Sequence, residues 1–339
     1  MNGRVSNIFK YSLWALVAAA LLYFSFRKVA WADLKSGLAQ CRWSYVALAM
    51  AAGAFSQYVR AIRWRMLILP VDGGMDRISV FNATNICLIS NLVVPRSGEF
   101  VRCGYVTANS APGPDGHRKA SYDKVLGTVV AERAWDIAMV ALIAVVLVPL
   151  MWGQFKTLAG GGMLGSPDAW KKLIIIALVG LAVLAALFFL LWKFRAGPGL
   201  PSKAWNVVLG IWDGLKSFLK LEKGWLFIVL TVIVWGLYLL ESCGIIWAVR
   251  GGAPEMSSLG VGDALFLMFV GTLSSFIPVP GGFGAFHTLV AGALSAVYGV
   301  PFALGLVFAT LSHESQTLVQ ILLGGISFIW ESVKKRKGS

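Results

Sequence analysis

Long apolar runs alternate with short basic loops along most of this chain. A helix crossing roughly 30 Å of hydrocarbon needs about 20 apolar residues, and stretches near 8–26, 44–69, 125–152, 173–193, 225–249 and 303–330 satisfy that length. Two further apolar stretches, 79–110 and 260–299, are interrupted by Pro and Gly. The pattern predicts an all-α, polytopic helical membrane protein, with about six full transmembrane helices and two broken segments that dip in and return. The tips of those segments resemble each other: Pro95-x-x-Gly98 followed by Glu99-Phe100 matches Pro278-x-x-Gly281 followed by Gly282-Phe283. Lys and Arg concentrate in the loops on one side of this arrangement, which places both termini in the cytoplasm. Segment 79–110 then enters from the inner face and segment 260–299 from the outer face. The two halves form an inverted repeat of the kind that builds a site at paired broken helices.

The domain organisation follows from this pattern. Residues 1–339 read as a single membrane domain, with a first half over 44–152 and a second over 225–330. They are joined by a linker whose amphipathic stretch, 195–223, carries apolar residues at helical spacing and lysines on its other face. That linker lies along the inner surface or extends a neighbouring helix.

Composition narrows the function classes. With 58% hydrophobic and only 14% charged residues, the chain lies far from the soluble average. The net charge of +14 is spread over short loops rather than gathered in a basic domain, so no nucleic-acid partner is expected. Those charges serve topology and attraction to anionic headgroups. Trp31, Trp43, Trp152, Trp170 and Trp330 flank the expected helix ends as interfacial anchors. The cysteines show no CxxC spacing and the histidines no HxxxH spacing, so neither disulfide, metal nor cofactor is expected. No nucleophile–base pair stands out, which points to a transporter-like protein and not an enzyme.

Charged residues inside apolar segments carry the candidate chemistry, because an arginine or acid at bilayer depth costs at least about 2.5–3.5 kcal/mol and must face inward. In the first tip these are Arg96, Glu99 and Arg102, beside Gly98 and Asn91. Glu99 and Arg102 are three apart and share a helical face, which leaves Arg96 for a phosphate or another acid. Glu132, Arg133 and Asp136 repeat the idea further along, and charge balance suggests that Arg96 or Arg102 meets Glu132 or Asp136. A structural salt bridge and an interfacial anchor are the plainer alternatives. Arg60 and Arg63 share a face at the end of the second span, where cytoplasmic anchoring explains most of their presence and contact with a lipid phosphate is the other reading. Pro278, Pro280, Gly281, Gly282 and Gly284 free backbone groups that cannot face lipid and so must line protein or a water-filled cavity. Glu241, His287, His313 and Glu314 are further polar positions, with either a pathway-lining or a hydrogen-bonding role.

Three ordered motifs, PxxGEFxR at 95–102, ERxxD at 132–136 and PxPGGFG at 278–284, make the chain resemble the lysylphosphatidylglycerol synthase transmembrane family of flippase-like membrane proteins over roughly residues 8–330. The resemblance implies a prokaryotic inner-membrane protein that moves a polar or anionic lipid between leaflets, with the motif residues named above at its site. Membrane lipids are the implied partners, alongside a homodimer or a lipid-modifying enzyme. The runner-up readings are an ion-coupled carrier of a small anionic solute and an accessory subunit of a glycolipid or phospholipid pathway. His287 departs from the glutamate that relatives often carry after the glycine-rich tip. The chain ends without a soluble aminoacyl-transfer domain, so synthase activity is not expected.

Overall fold

A computed structural model describes residues 31–113, 118–160, 221–277 and 279–338, with Tyr23 and scattered positions between 186 and 219. Ten α-helices account for most of the described residues. They are α1 (Trp31–Ala39), α2 (Trp43–Ile68), α3 (Arg77–Val93), α4 (Gly98–Asn109), α5 (Tyr122–Leu150), α6 (Trp152–Gly160), α7 (Gly224–Val249), α8 (Val261–Ser274), α9 (Ala285–Tyr298) and α10 (Phe302–Gly338). The expected spans near 8–26 and 173–193, most of the linker over 195–223, and Pro278 lie outside the described residues.

Helices α5, α7 and α10 are long and apolar enough to cross a bilayer. Helix α2 matches α7 at 26 residues, or about 39 Å, but ends in Arg60, Arg63 and Arg65. These two form the central pair, and they run antiparallel. Tyr45 near the start of α2 packs edge-on against Trp247 near the end of α7, while Arg63 near the end of α2 donates to Thr231 Oγ1 near the start of α7 at 3.4 Å. Close approach is permitted because Gly244 sits against the Tyr45 carbonyl and Ala49, where a side chain would have little room.

Both broken segments are helix–turn–helix hairpins, α3–α4 and α8–α9, each packed on itself. Since α3 follows the end of α2 and α8 follows the end of α7, the antiparallel central pair makes the hairpins enter from opposite ends. Their tips meet. The Arg96 guanidinium donates to the Ser275 carbonyl, and Leu92 lies 3.1 Å from where a Cβ on Gly281 would stand. Each half therefore reads long helix, hairpin, long helix: α2, α3–α4, α5, then α7, α8–α9, α10. Helix α10 passes both tips. Gly305 near its start abuts Ala291 of α9, Gln316 donates to the Ala49 carbonyl of α2, and further along Ser327 and Glu331 accept from Asn85 and Asn82 of α3 at 3.0 and 2.8 Å.

The hairpins are held by specific local chemistry. In α4 the N-terminal amide of Gly98 donates to Asn91 Oδ1 at 2.8 Å, while Asn91 Nδ2 donates to Glu99 Oε2 at 3.3 Å, so the end of α3 caps the start of α4. A Cβ at Gly98 would stand 2.0 Å from the Cys87 carbonyl oxygen. At the base, Asp72 closes the loop between α2 and α3 by accepting from Ser110 Oγ at 2.5 Å and from the amides of Gly74 and Ala111 at 3.0 and 3.2 Å. Burial pushes the Asp72 carboxyl up, but those hydrogen bonds and nearby Lys119 outweigh it and hold the group below its ordinary value.

A methyl group at position 98 has only backbone to push against, so Gly98→Ala separates α3 from α4 and lowers stability by about 1–3 kcal/mol, measured as thermal unfolding in detergent. Because the folded pKa of Asp72 is depressed, its contribution is present above the ordinary carboxylate range and drains as pH falls through the folded value. Asp72→Ala therefore lowers the unfolding midpoint at neutral pH, by roughly 1–3 kcal/mol in stability. The gap to the parent chain narrows as pH falls below the ordinary carboxylate range.

Candidate functional site: a buried arginine cluster beneath two meeting hairpins

Helices α2, α4 and α5 converge on one carboxylate. Glu132 of α5 is buried at 1% exposure and faces four guanidinium groups. Its Oε1 lies 3.6 Å from Arg60 and 3.3 Å from Arg63; its Oε2 lies 2.7 Å from Arg102 and 3.6 Å from Arg133. Asp136, one turn further along α5, takes Arg63 at 2.7 Å and Arg133 at 3.4 Å. Four positive groups thus surround two acids, an excess of two positive charges.

Aromatic rings carry part of that load. Arg102 lies over the Trp64 ring at 4.4 Å and Arg63 over Phe227 at 5.6 Å, contacts worth about 0.5–2 kcal/mol each when desolvated. Trp64 is oriented by donating its indole N–H to Thr128 Oγ1 at 3.1 Å. The arginines are nonetheless under-satisfied. Arg102 is fully buried; its Nη2 meets Glu132, while its Nε and Nη1 make no hydrogen bond, and Arg63 Nε and Arg133 Nε are also without an acceptor. Each unmatched buried N–H costs about 1–3 kcal/mol, and an arginine fork is shaped to grip carboxylate or phosphate oxygens. The arrangement has the donors and the charge that an anion would require.

Polar groups extend from the cluster along the α2–α7 seam. Arg60 receives Gln57 as an acceptor at 3.2 Å and lies near Tyr238; one turn on, Glu241 meets Ser56. Tyr238 and Glu241 then open into a cavity of about 240 Å³ under the second hairpin, whose wall includes Gly281, His313, Gln316 and Gln320. At the other end, a groove of about 580 Å³ between α2, α3 and the start of α7 is rimmed by Arg65, Arg77 and Lys223.

Of the residues singled out in the sequence, Arg60, Arg63, Arg102, Glu132, Arg133 and Asp136 come together here. Arg96 does not. It stands at the exposed tip with a left-handed backbone, φ 60°, and spends its guanidinium on the opposite hairpin. Glu99 accepts from Asn91 instead of pairing with Arg102. At the second tip, Pro280, Gly281 and Gly282 form a single 3-10 turn, and Gly281, Gly282 and Gly284 all have φ between 59° and 80°, which L side chains adopt only at a cost. His287, His313 and Glu314 gather behind that turn. Sequence reasoning missed Trp64, Thr231 and Tyr238. Spacing held the signal for two of them: Thr231, Tyr238 and Glu241 recur at seven and three residues, one stripe of an otherwise apolar α7.

The fold is that of an all-α membrane protein with paired, inverted hairpins. Residues 12–324 match the lysylphosphatidylglycerol synthase TM region, and the chain belongs to that family. Among curated proteins no match was found.

Removing the central carboxylate leaves four guanidiniums facing one another, so Glu132→Ala destabilises by about 3–5 kcal/mol. Arg133→Ala, at a group 35% exposed, costs about 1 kcal/mol or less. Thermal unfolding of both variants and of their combination measures this, and the double variant recovers part of the Glu132→Ala loss.

Proposed function

We propose that the protein translocates a lipid with a polar or anionic headgroup, and that the cluster around Glu132 holds the headgroup while the acyl chains stay in the bilayer. The observation that carries the reading is Arg102: a fully buried guanidinium whose Nη2 meets Glu132 while Nε and Nη1 have no acceptor, inside a group of four arginines and two acids. A bare charge loses its hydration in hydrocarbon at a cost of many kcal/mol. Arginine forks and a polar seam lower that barrier. Family membership supports a lipid-related role.

Orientation follows from charge. Arg65, Arg77 and Lys223 rim one groove, and Asp76 and Lys334 share the wall of another at the same end, where the KKRK run follows. Positive residues favour the cytoplasmic side, so on this reading the end faces the cytoplasm of a prokaryotic inner membrane, the side to which the loop charges of the sequence assign both termini of a multi-pass chain. The basic groove is the entry for an anionic headgroup. An ion-coupled carrier of a small anion would use the same charges, but the exposed apolar side chains at both tips, Val93, Phe100, Phe276 and Ile277, suit a cleft bordered by acyl chains.

Purified protein in liposomes carrying a fluorescent phosphatidylglycerol tests this by leaflet exchange. The parent chain is expected to accelerate exchange over protein-free vesicles, and Arg102→Gln to slow it at least about tenfold, the equivalent of one lost charge-assisted contact of about 1.4 kcal/mol or more. Equal rates for the parent chain, Arg102→Gln and empty vesicles would overturn the proposal.

A further inference from the structure

The second tip contains a side-chain cluster that stands apart from the arginine site. His313 Nε2 stands 2.8 Å from the Gly281 carbonyl oxygen. A carbonyl can only accept, so Nε2 carries the proton and donates it. The other ring nitrogen, Nδ1, is then a bare lone pair in the neutral ring, yet it lies 3.0 Å from Glu314 Oε1, which also can only accept when ionised. The Thr317 hydroxyl, at 3.5 Å from Nδ1, stands at the outer limit of a hydrogen bond. Two acceptors at 3.0 Å repel unless a positive centre lies between them. A second imidazole converges on the same oxygen: His287 Nε2 is 3.6 Å from Glu314 Oε1, with the His287 side chain 1% exposed.

We propose that His287, His313 and Glu314 bind one divalent transition-metal ion of the zinc class, through His287 Nε2, His313 Nδ1 and a Glu314 carboxylate oxygen. The three ligand atoms lie within 4.8 Å of one another. Metal–ligand bonds of about 2.0–2.2 Å in tetrahedral geometry give ligand–ligand edges of about 3.3–3.5 Å, and the two edges at Glu314, 3.0 and 3.6 Å, bracket that value. Two imidazoles with one carboxylate suit zinc and its neighbours, whereas magnesium and calcium prefer all-oxygen sites. The backbone contact plays the part that outer partners play in metal sites: the Gly281 carbonyl fixes the His313 tautomer and turns Nδ1 towards the ion. The expectation of no metal rested on the lack of HxxxH spacing; here the ligands come from two helices, α9 and α10, brought together by packing. The ion would tie α9 to α10 and, through His313, hold the left-handed Gly281 turn against the cavity wall.

The test uses the full chain in detergent, stripped with a chelator and dialysed against Zn2+ or Co2+, with elemental analysis and the visible ligand-field spectrum of cobalt as readouts. One ion per chain and a tetrahedral cobalt spectrum with nitrogen ligation are expected. Changes outside the ligand set cost about 10–100-fold in affinity, so loss of a direct ligand in Glu314→Gln or His287→Ala weakens binding by more than about a hundredfold. Glu314 is 42% exposed, so Glu314→Gln is expected to keep the elution profile and the chelator-treated unfolding midpoint of the parent chain. It is the decisive variant if His287→Ala, with its buried side chain, fails to fold. Absence of stoichiometric uptake by the parent chain, or uptake unchanged in Glu314→Gln, would overturn the proposal.

Discussion

One carboxylate governs the architecture of the first half. Arg63 and Arg102 are stripped of water entirely, and bringing each guanidinium to that depth costs several kcal/mol. At an effective dielectric of about 20, each close contact with Glu132 returns on the order of 4 kcal/mol. Glu132 can therefore offset the burial of one or two arginines, and Asp136 helps with Arg63. It cannot offset four. The helices that carry these groups are tied together because none can withdraw without leaving a charge unmatched, and the remaining excess is a standing demand for an anion. Arg102 is what draws α4, the return arm of the first hairpin, against α2 and α5.

The hairpins solve the same tip problem with different residues. Both tips reverse through left-handed backbone. At the second tip glycine supplies it at Gly281, Gly282 and Gly284. At the first tip the left-handed residue is Arg96, a position that costs about 1 kcal/mol or more for a residue with a Cβ. Its contact with the Ser275 carbonyl across the gap gives that strain a return, since it joins the two tips. The glycine of the first tip, Gly98, serves a different end: it lets α4 start in contact with the Cys87 carbonyl. The similar Pro-x-x-Gly sequences thus mark equivalent turns, while the physical work of each position differs.

The helices and the helix breaks could be read from periodicity and from Pro and Gly, because those signals are local. Partners could not. The local rule that residues three apart share a face works for Arg133 and Asp136, which do meet, and fails for Glu99 and Arg102, because Asn91 claims Glu99 as part of the helix cap. Arg63 looked like an ordinary cytoplasmic anchor because its acids lie about seventy residues away on α5. Asn82 and Asn85 take their partners from α10, some 240 residues on. The His287–Glu314 encounter is invisible to spacing rules for the same reason: its ligands are neighbours only after α9 has folded back along α10.

Placement of the remaining polar groups is what gives the inverted arrangement a direction. The basic groove, the arginine cluster, the Gln57–Tyr238–Glu241 seam and the cavity below Gly281 follow one another along the α2–α7 pair, so an anion passing from one end would leave the region of positive excess before reaching the second tip. On the translocation reading, that gradient needs a counterpart, or the headgroup would stay with Arg102. A divalent ion held by His287, His313 and Glu314 would supply it, placing new positive charge at the far cavity where the arginines give out. Binding at one end only makes a trap, and a conduit needs attraction weak enough to release and repeated often enough to advance. The two sites, one built from arginines and one from imidazoles, would divide that task between the two halves of the repeat.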